Sequence, residues 1–392
     1  MRISRADRSR LTEWWFTVDH ALLAAILVLM AAGLVLSLAA SPAVALKKGL
    51  PMFHFVERQL VFSLVGLALM LAVSLLTPLG VRRLALVLFV ASLAGLVAVH
   101  ATGAEINGAR RWLGLAGYSL QPSEFAKPGF VVLAAWLFAE ARVRPDVPAL
   151  PLAALLAIVL AVLLVAQPDV GQTLLVGAIW GALYVLSGQP LVGVVLLTIA
   201  GTMGAGASYW MLDHVRARVD RFLSPTPGDN SQIDRAIQSF AEGGFLGRGP
   251  GEGTIKSTLP DAHTDFIFAV VAEEYGAIAC LALLALFAFI VLRALLAARR
   301  EPDAATRLAV QGLALVFGLQ ALINMAVNVG LVPAKGMTLP FISAGGSSTL
   351  AVAITLGMLL ALTQRRPDPA RLKKPRLVAT LGGPEIKGMP RP

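Results

Sequence analysis

Apolar residues in this chain fall in long unbroken runs, and polar residues collect in the gaps between them. A bilayer's hydrocarbon core needs about 17–25 apolar residues to cross it as a helix. Ten runs of that kind occur, at 21–40, 59–77, 83–100, 123–141, 150–166, 171–187, 191–210, 266–296, 307–330 and 346–364. Lipid offers the backbone no hydrogen bonds, so such segments cross as helices. The pattern predicts an all-α polytopic membrane protein with about ten transmembrane helices. The first run follows Arg2, Arg5, Arg8 and Arg10, as a signal peptide would. Its apolar stretch is long for that role and more spans follow, so a retained helix is expected.

Composition agrees, with 57% hydrophobic and 14% charged residues and a mean hydropathy of +0.75. A soluble domain would carry roughly twice that share of charge. The single Cys280 lies in an apolar run, so neither a disulfide framework nor a Cys-based metal site is expected, and the five histidines show no ligand spacing. The net charge of +10 would suggest nucleic acid, but its distribution points to membrane orientation instead. With the N-terminus inside, 20 of the 33 Lys and Arg residues lie on the cytoplasmic side, leaving that face at about +11 and the outer face nearly neutral.

This orientation divides the chain into a cytoplasmic segment 1–20, a ten-helix membrane domain 21–366 and a basic, disordered cytoplasmic tail 367–392. Five connections fall outside, at 42–58, 101–122, 167–170, 211–265 and 331–345. The longest, 211–265, joins the seventh and eighth spans. Polar chemistry is concentrated in these outer segments.

The most telling stretch is Leu259–Glu273, in which a polar loop brings Asp265 to the start of an apolar helix. A carboxylate there is costly and by default a candidate for function. The structural alternative is that Thr264 caps the helix while Asp265 favours its first turn. At 100° per residue, Asp265 would share a face with Ala269, Ala272 and Gly276, with Glu274 opposite. In Asn107–Trp112 and Gln121–Pro128, Arg110, Arg111 and Lys127 could meet an anionic headgroup, whereas Ser123 could cap a helix and Glu124 could pair with Lys127 at i,i+3. The glycine-rich run 243–253, with Arg248, lacks a P-loop ending and reads as a flexible loop whose N–H groups could cradle an anion. Gln167–Thr173 is a short turn in which Asp169 caps the next helix. In 335–348, Lys335 is a cation facing the outer side, Pro340 and the Gly345–Gly346 pair suggest a re-entrant turn, and Ser347 or Ser348 caps the last helix. Asn324 and Asn328 are buried polar groups that need partners.

Taken together and in order, Asn107–Trp112, Gln121–Lys127, Gln167–Gly171, Leu259–Glu274 and Asn328–Ser348 closely resemble the SEDS family of bacterial cell-wall polymerases, from about residue 20 to 366. The run Lys335–Pro340 is similar to the division branch of that family more than to the elongation branch. Ala344 stands where division-branch members often have Tyr. The resemblance implies a ten-helix fold that polymerises lipid II into glycan strands on the outer membrane face. It aligns the family's essential acid with Asp265. It also implies a class B penicillin-binding protein as partner, with other division membrane proteins, at the septum of the bacterial inner membrane.

The reaction expected is inverting glycosyl transfer between undecaprenyl-pyrophosphate-linked sugars, with Asp265 as general base. Arg110, Arg111, Glu124, Lys127, Arg248, His263, Lys335 and Ser347 are the substrate-binding candidates, the cations among them facing the departing pyrophosphate. A divalent cation, magnesium or manganese, is compatible with this chemistry, though no ligand cluster demonstrates it. A lipid II flippase and a non-catalytic scaffold for a penicillin-binding protein remain alternatives. The charged candidates crowd one side instead of lining a midplane path, as a transporter's would.

Overall fold

The computed structural model describes residues 9–106, 109–115, 118–223, 231–259, 261–333 and 336–365. A short helix α1 (Arg10–Thr17) precedes three long ones, α2 (His20–Lys47), α3 (His54–Ser74) and α4 (Pro78–Thr102). After a small sheet come α5 (Pro122–Val143), α6 (Ala149–Ala166), α7 (Val170–Leu186) and α8 (Leu191–Met211). Two amphipathic helices, α9 (Asp213–Leu223) and α10 (Ser231–Gly243), lead to α11 (Ile267–Ala298), α12 (Ala304–Asn328) and α13 (Gly346–Leu362). Seven of these helices are long and apolar enough to cross a membrane, and α7 and α13 are shorter apolar helices. With α5, whose Glu124 and Lys127 pair with each other, they make the ten expected spans.

Helix starts follow elementary capping chemistry. Asp19 accepts from the N–H groups of Ala21 and Leu22 at 3.1 Å, and Thr77 caps α4 ahead of Pro78. Asp303 caps α12, accepting from the Thr306 N–H at 3.0 Å. The centre of the bundle is α5, α12 and α13, each buried over most of its length. Helix α3 lies along α13, where Gly66 faces Ala353 and Gly357 meets the backbone of Met70. Small residues let apolar helices approach closely enough for dispersion to hold them in lipid. Helix α8 is peripheral and keeps its apolar side chains on the outside.

Two connections expected as plain loops are structured. Segment 101–122 holds an antiparallel sheet of β1 (Ala104–Ile106), β2 (Ala109–Leu115) and β3 (Tyr118–Leu120), in which Leu113 pairs with Leu120. Segment 211–265 holds α9, α10 and a 3₁₀ turn at Ile255–Ser257. Amphipathic elements this short leave only a weak periodic signal.

Helix α11 is interrupted at Gly276, where φ is 77°. The glycine-rich loop takes over the hydrogen bonds lost there. The N–H groups of Arg248 and Gly249 donate to the carbonyls of Glu273 and Glu274, and those of Ala277 and Ile278 donate to Gly244 and Phe245. A Cβ at position 276 would collide with the Phe245 carbonyl and the Gly247 nitrogen, in a backbone region that side chains disfavour. Gly276→Ala is expected to cost about 1–3 kcal/mol, read as a lower thermal midpoint of the detergent-solubilised protein.

The same loop does cradle an anion of the chain's own, Glu274, and the residues just after it hold a second, Glu273. The Glu273 carboxylate accepts from the N–H groups of Thr254, Ile255 and Lys256 at 2.6–2.9 Å, and Glu274 accepts from Gly251 N–H and pairs with the Lys256 ammonium. The run is therefore an anchored lid over two buried carboxylates and not a free surface loop.

Candidate functional site

A cavity of about 740 Å³ lies at one rim of the bundle. Its walls come from the ends of seven helices and from β2 and β3, and each of the five connections assigned outside supplies some of them. Phe55 and Arg58 come from the first, Arg111 and Gln121 from the second, Pro168 and Asp169 from the third, Asp261 and Asp265 from the fourth, and Gly336 and Gly345 from the fifth.

Asp265 is not a helix cap. Helix α11 begins at Ile267 after Phe266, without a side-chain cap, and the Thr264 hydroxyl donates to the Asp261 carbonyl instead. The face shared with Ala269 and Gly276 therefore does not form, because Asp265 precedes the helix and Gly276 breaks it. The backbone around Asp265 is clamped from α12. Asn324 and Asn328 each donate from Nδ2 to the Asp265 carbonyl at 2.9 Å, and Asn328 Oδ1 accepts from Ala269 N–H at 3.1 Å. The segment before α13 adds a second clamp. The Ser343 hydroxyl donates to the Thr264 carbonyl at 2.5 Å, and Ala344 N–H donates to the His263 carbonyl at 2.8 Å.

These bonds use the backbone and leave the carboxylate uncommitted. Among the described residues it makes no hydrogen bond or ion pair. Its Oδ2 lies 3.7 Å from where a side chain on Gly336 would begin, so glycine there leaves it room. Burial pushes the Asp265 carboxyl up to about 6, and the Asp261 carboxylate adds to the rise. A base of that strength is ionised at neutral pH yet basic enough to take a proton. Asn328→Ala removes one donor and one acceptor from the clamp. It is expected to cost about 1–3 kcal/mol, measured as a lower thermal midpoint against the parent protein.

The other sequence candidates separate into those that face the cavity and those that do not. Arg111, Glu124, His263 and Ser347 line it with Asp265. Arg111 is tied down, donating from Nε to the Gln167 carbonyl at 3.2 Å and from Nη2 to that of Pro168 at 2.5 Å, with Asp169 at 3.9 Å. Asp169 caps α7. His263 is buried with its ring 4.5 Å from that of Phe55, and its Nδ1 has no partner among the described residues. Burial, with the Lys48 charge behind it, pushes its pKa down to about 4, so the ring is neutral near pH 7.

Lys127 does not reach the cavity. Its ammonium is buried 2.9 Å from both Glu124 oxygens and 2.8 Å from Gln320 Oε1, while Gln172 donates to Glu124 at 2.7 Å. Full burial at i,i+3 turns it inward, so it cannot meet a headgroup at the surface. Ser347 does not cap α13, which starts after Gly345. It donates to the Ser119 carbonyl at 2.8 Å and accepts from Gln121 N–H at 3.2 Å, fastening the helix to the sheet. Arg248 is bound by Glu242 and by Thr254 outside the cavity, and Arg110 is exposed on β2 away from its walls. Lys335 lies outside the described residues.

Sequence reasoning missed Arg58 and Gln59. The signal was present: Phe55, Arg58, Gln59 and Phe62 follow i, i+3, i+4, i+7 spacing, and all four line the cavity.

Among the described residues, no three His, Cys, Asp or Glu side chains are placed to hold a metal ion. Asp261 and Asp265 lie near enough to repel each other, but no third such ligand joins them among the described residues, so this donor set does not fit a divalent cation.

A helical membrane protein with an uncommitted carboxylate in a polar rim cavity is the class that fold and site define. The chain matches the family model described as "Cell cycle protein", which covers FtsW, RodA and SpoVE proteins, over residues 19–367, and it belongs to that family. It is 46% identical over 365 residues to a probable peptidoglycan glycosyltransferase FtsW of Caulobacter vibrioides, covering 93% of this chain and 94% of that one. A protein of the same description from Trichlorobacter lovleyi is 35% identical, with 90% and 94% covered. Among solved structures, a chain of a peptidoglycan synthase complex, studied for how it coordinates polymerization and crosslinking, superposes with a TM-score of 0.74 at 32% identity, covering 88% of this chain and 97% of that one. The rod-shape-determining protein RodA of Thermus thermophilus superposes with a TM-score of 0.63 at 29% identity, with 89% and 97% covered.

Proposed function

We infer that this chain is a peptidoglycan glycosyltransferase of the FtsW type, which polymerises lipid II into glycan strands during septal cell-wall synthesis. The observation that carries the reading is Asp265, a carboxylate clamped through its backbone while its oxygens stay open to a 740 Å³ cavity. Membership of the family and the names of its relatives support the same activity.

In this mechanism the 4-hydroxyl of the acceptor N-acetylglucosamine faces Asp265. Its proton passes to the carboxylate as its oxygen bonds to the anomeric carbon of the donor. The bond from that carbon to the pyrophosphate breaks, the electron pair leaves with undecaprenyl pyrophosphate, and configuration inverts. Asp265 then returns its proton to solvent. Donors aimed at the leaving group stabilise its charge.

The charge distribution supports a multi-pass protein of the bacterial inner membrane with both termini cytoplasmic and the cavity outside. Nucleotide sugars are not supplied there, which suits a donor that carries its own leaving group. The relative found within a synthase complex supports partnership with a class B penicillin-binding protein at the septum.

The test is the purified complex fed labelled lipid II, in its native form and as Asp265→Asn. Polymer from the native complex and its loss in the variant are expected. Translocation of lipid II across vesicles without polymer would favour a flippase. Cells that tolerate the variant would favour a scaffold.

A further inference from the structure

Of the cations that the sequence offers to the leaving group, Lys127 is buried in a pair, Arg248 lies elsewhere and Arg111 spends two donors on backbone carbonyls. Arg58 differs from all of them. It stands on the second turn of α3 in the cavity wall, and among the described residues no acceptor or acid engages its guanidinium. What holds it is the face of Tyr118 on β3, 5.8 Å from its Cζ, and that ring is steadied edge-on by Phe62 at 5.6 Å. Stacking on an aromatic face fixes a guanidinium while leaving its five N–H donors free.

We propose that Arg58 binds the pyrophosphate of the lipid-linked donor, and that Tyr118 is the positioning residue that aims it. The proposal rests on the polymerase reading above. Arg58 lines the cavity that also holds Arg111 and Asp265, so an anion it binds shares one space with the base. Arg58 offers two parallel donors to phosphate oxygens, a geometry a lysine cannot supply. The sheet carrying Tyr118 is fastened to α13 through Ser347, which fixes the ring relative to the cavity floor.

The experiment measures binding of undecaprenyl pyrophosphate to the full-length protein in nanodiscs, beside polymerisation by the complex. Arg58→Gln is expected to weaken that binding, and kcat/KM for lipid II, by about 10–100-fold, the range for losing hydrogen bonds to a charged group. Arg58→Lys should recover only part of the loss, and Tyr118→Phe should bind better than Tyr118→Ala because the ring is the support. Nanodiscs with and without phosphatidylglycerol separate the two phosphate sources. Undiminished binding in Arg58→Gln overturns the proposal, as does an Arg58 effect seen only when phosphatidylglycerol is present. Because binding is read without turnover, these outcomes are distinct from a failure of the native complex to polymerise, which would sink the parent reading instead. Unchanged thermal midpoints are expected for the Arg58 variants, since the side chain is exposed and bears no ion pair among the described residues.

Discussion

Asp265→Asn is expected to lower glycan polymerisation by the purified complex by about 10²–10⁴-fold, the usual contribution of a positioned base. The substitution keeps the shape of the side chain and leaves the backbone clamp from Asn324 and Asn328 in place, so the thermal midpoint should stay near that of the parent. The native rate should also carry the mark of this carboxylate. A carboxylate can act as a base only when ionised, and burial raises the pKa of Asp265 to about 6. The rate should therefore rise with pH through about 6 and level off above it. The Asp261 carboxylate contributes to that rise by repulsion. Asp261→Asn should accordingly move the acidic limb to lower pH without abolishing activity. A rate independent of pH between 5 and 7 in the native complex, or full activity in Asp265→Asn, would rule this assignment out.

The second large effect is on stability. Lys127→Met is expected to destabilise the protein by about 3–5 kcal/mol, because it leaves the Glu124 carboxylate buried without its cation. Gln172 would remain as its hydrogen-bond donor, at 2.7 Å, and a single neutral donor does not replace an ammonium shared by both oxygens. Converting Glu124 to Gln in the same chain should recover most of the loss, since a neutral amide needs no counter-charge. Thermal unfolding in detergent across the two single variants and the double one reads the coupling directly. Additive losses would mean that the pair is not the unit of stability it looks to be. Glu124 also faces the cavity, so the pair joins the wall of the site to the centre of the bundle.

The spans were legible because lipid makes a demand at every residue. A run such as 171–187 has no other way to satisfy its backbone, and it is found at Val170–Leu186. The run 266–296 is found as Ile267–Ala298, but with a break at Gly276 that only its loop partner explains. Asp265 was visible as a polar residue in an expensive place. Its helical face was misplaced because Asp265 lies before the helix begins at Ile267, where the 100° step does not apply, and Gly276 interrupts the helix. Arg58 and Gln59 hid at the flank of an apolar run, where charge is ordinary. The hidden contacts share one property, long separation along the chain: Gln59 donates to the carbonyl of Phe341, and Ser347 to that of Ser119.

By itself, then, the order of residues determined the number and nature of the spans, their expected direction, the family and the carboxylate proposed as the base. These depend on local composition and on what a bilayer requires of any segment within it. Only the tertiary structure decided which charges are neutralised in the interior, as Glu124 and Lys127 are, which anion the glycine-rich loop holds, and which cation is left open to the cavity. Those outcomes depend on which groups meet across the bundle. A charged side chain is a site or a strut according to whether its partner in space is the protein or the substrate.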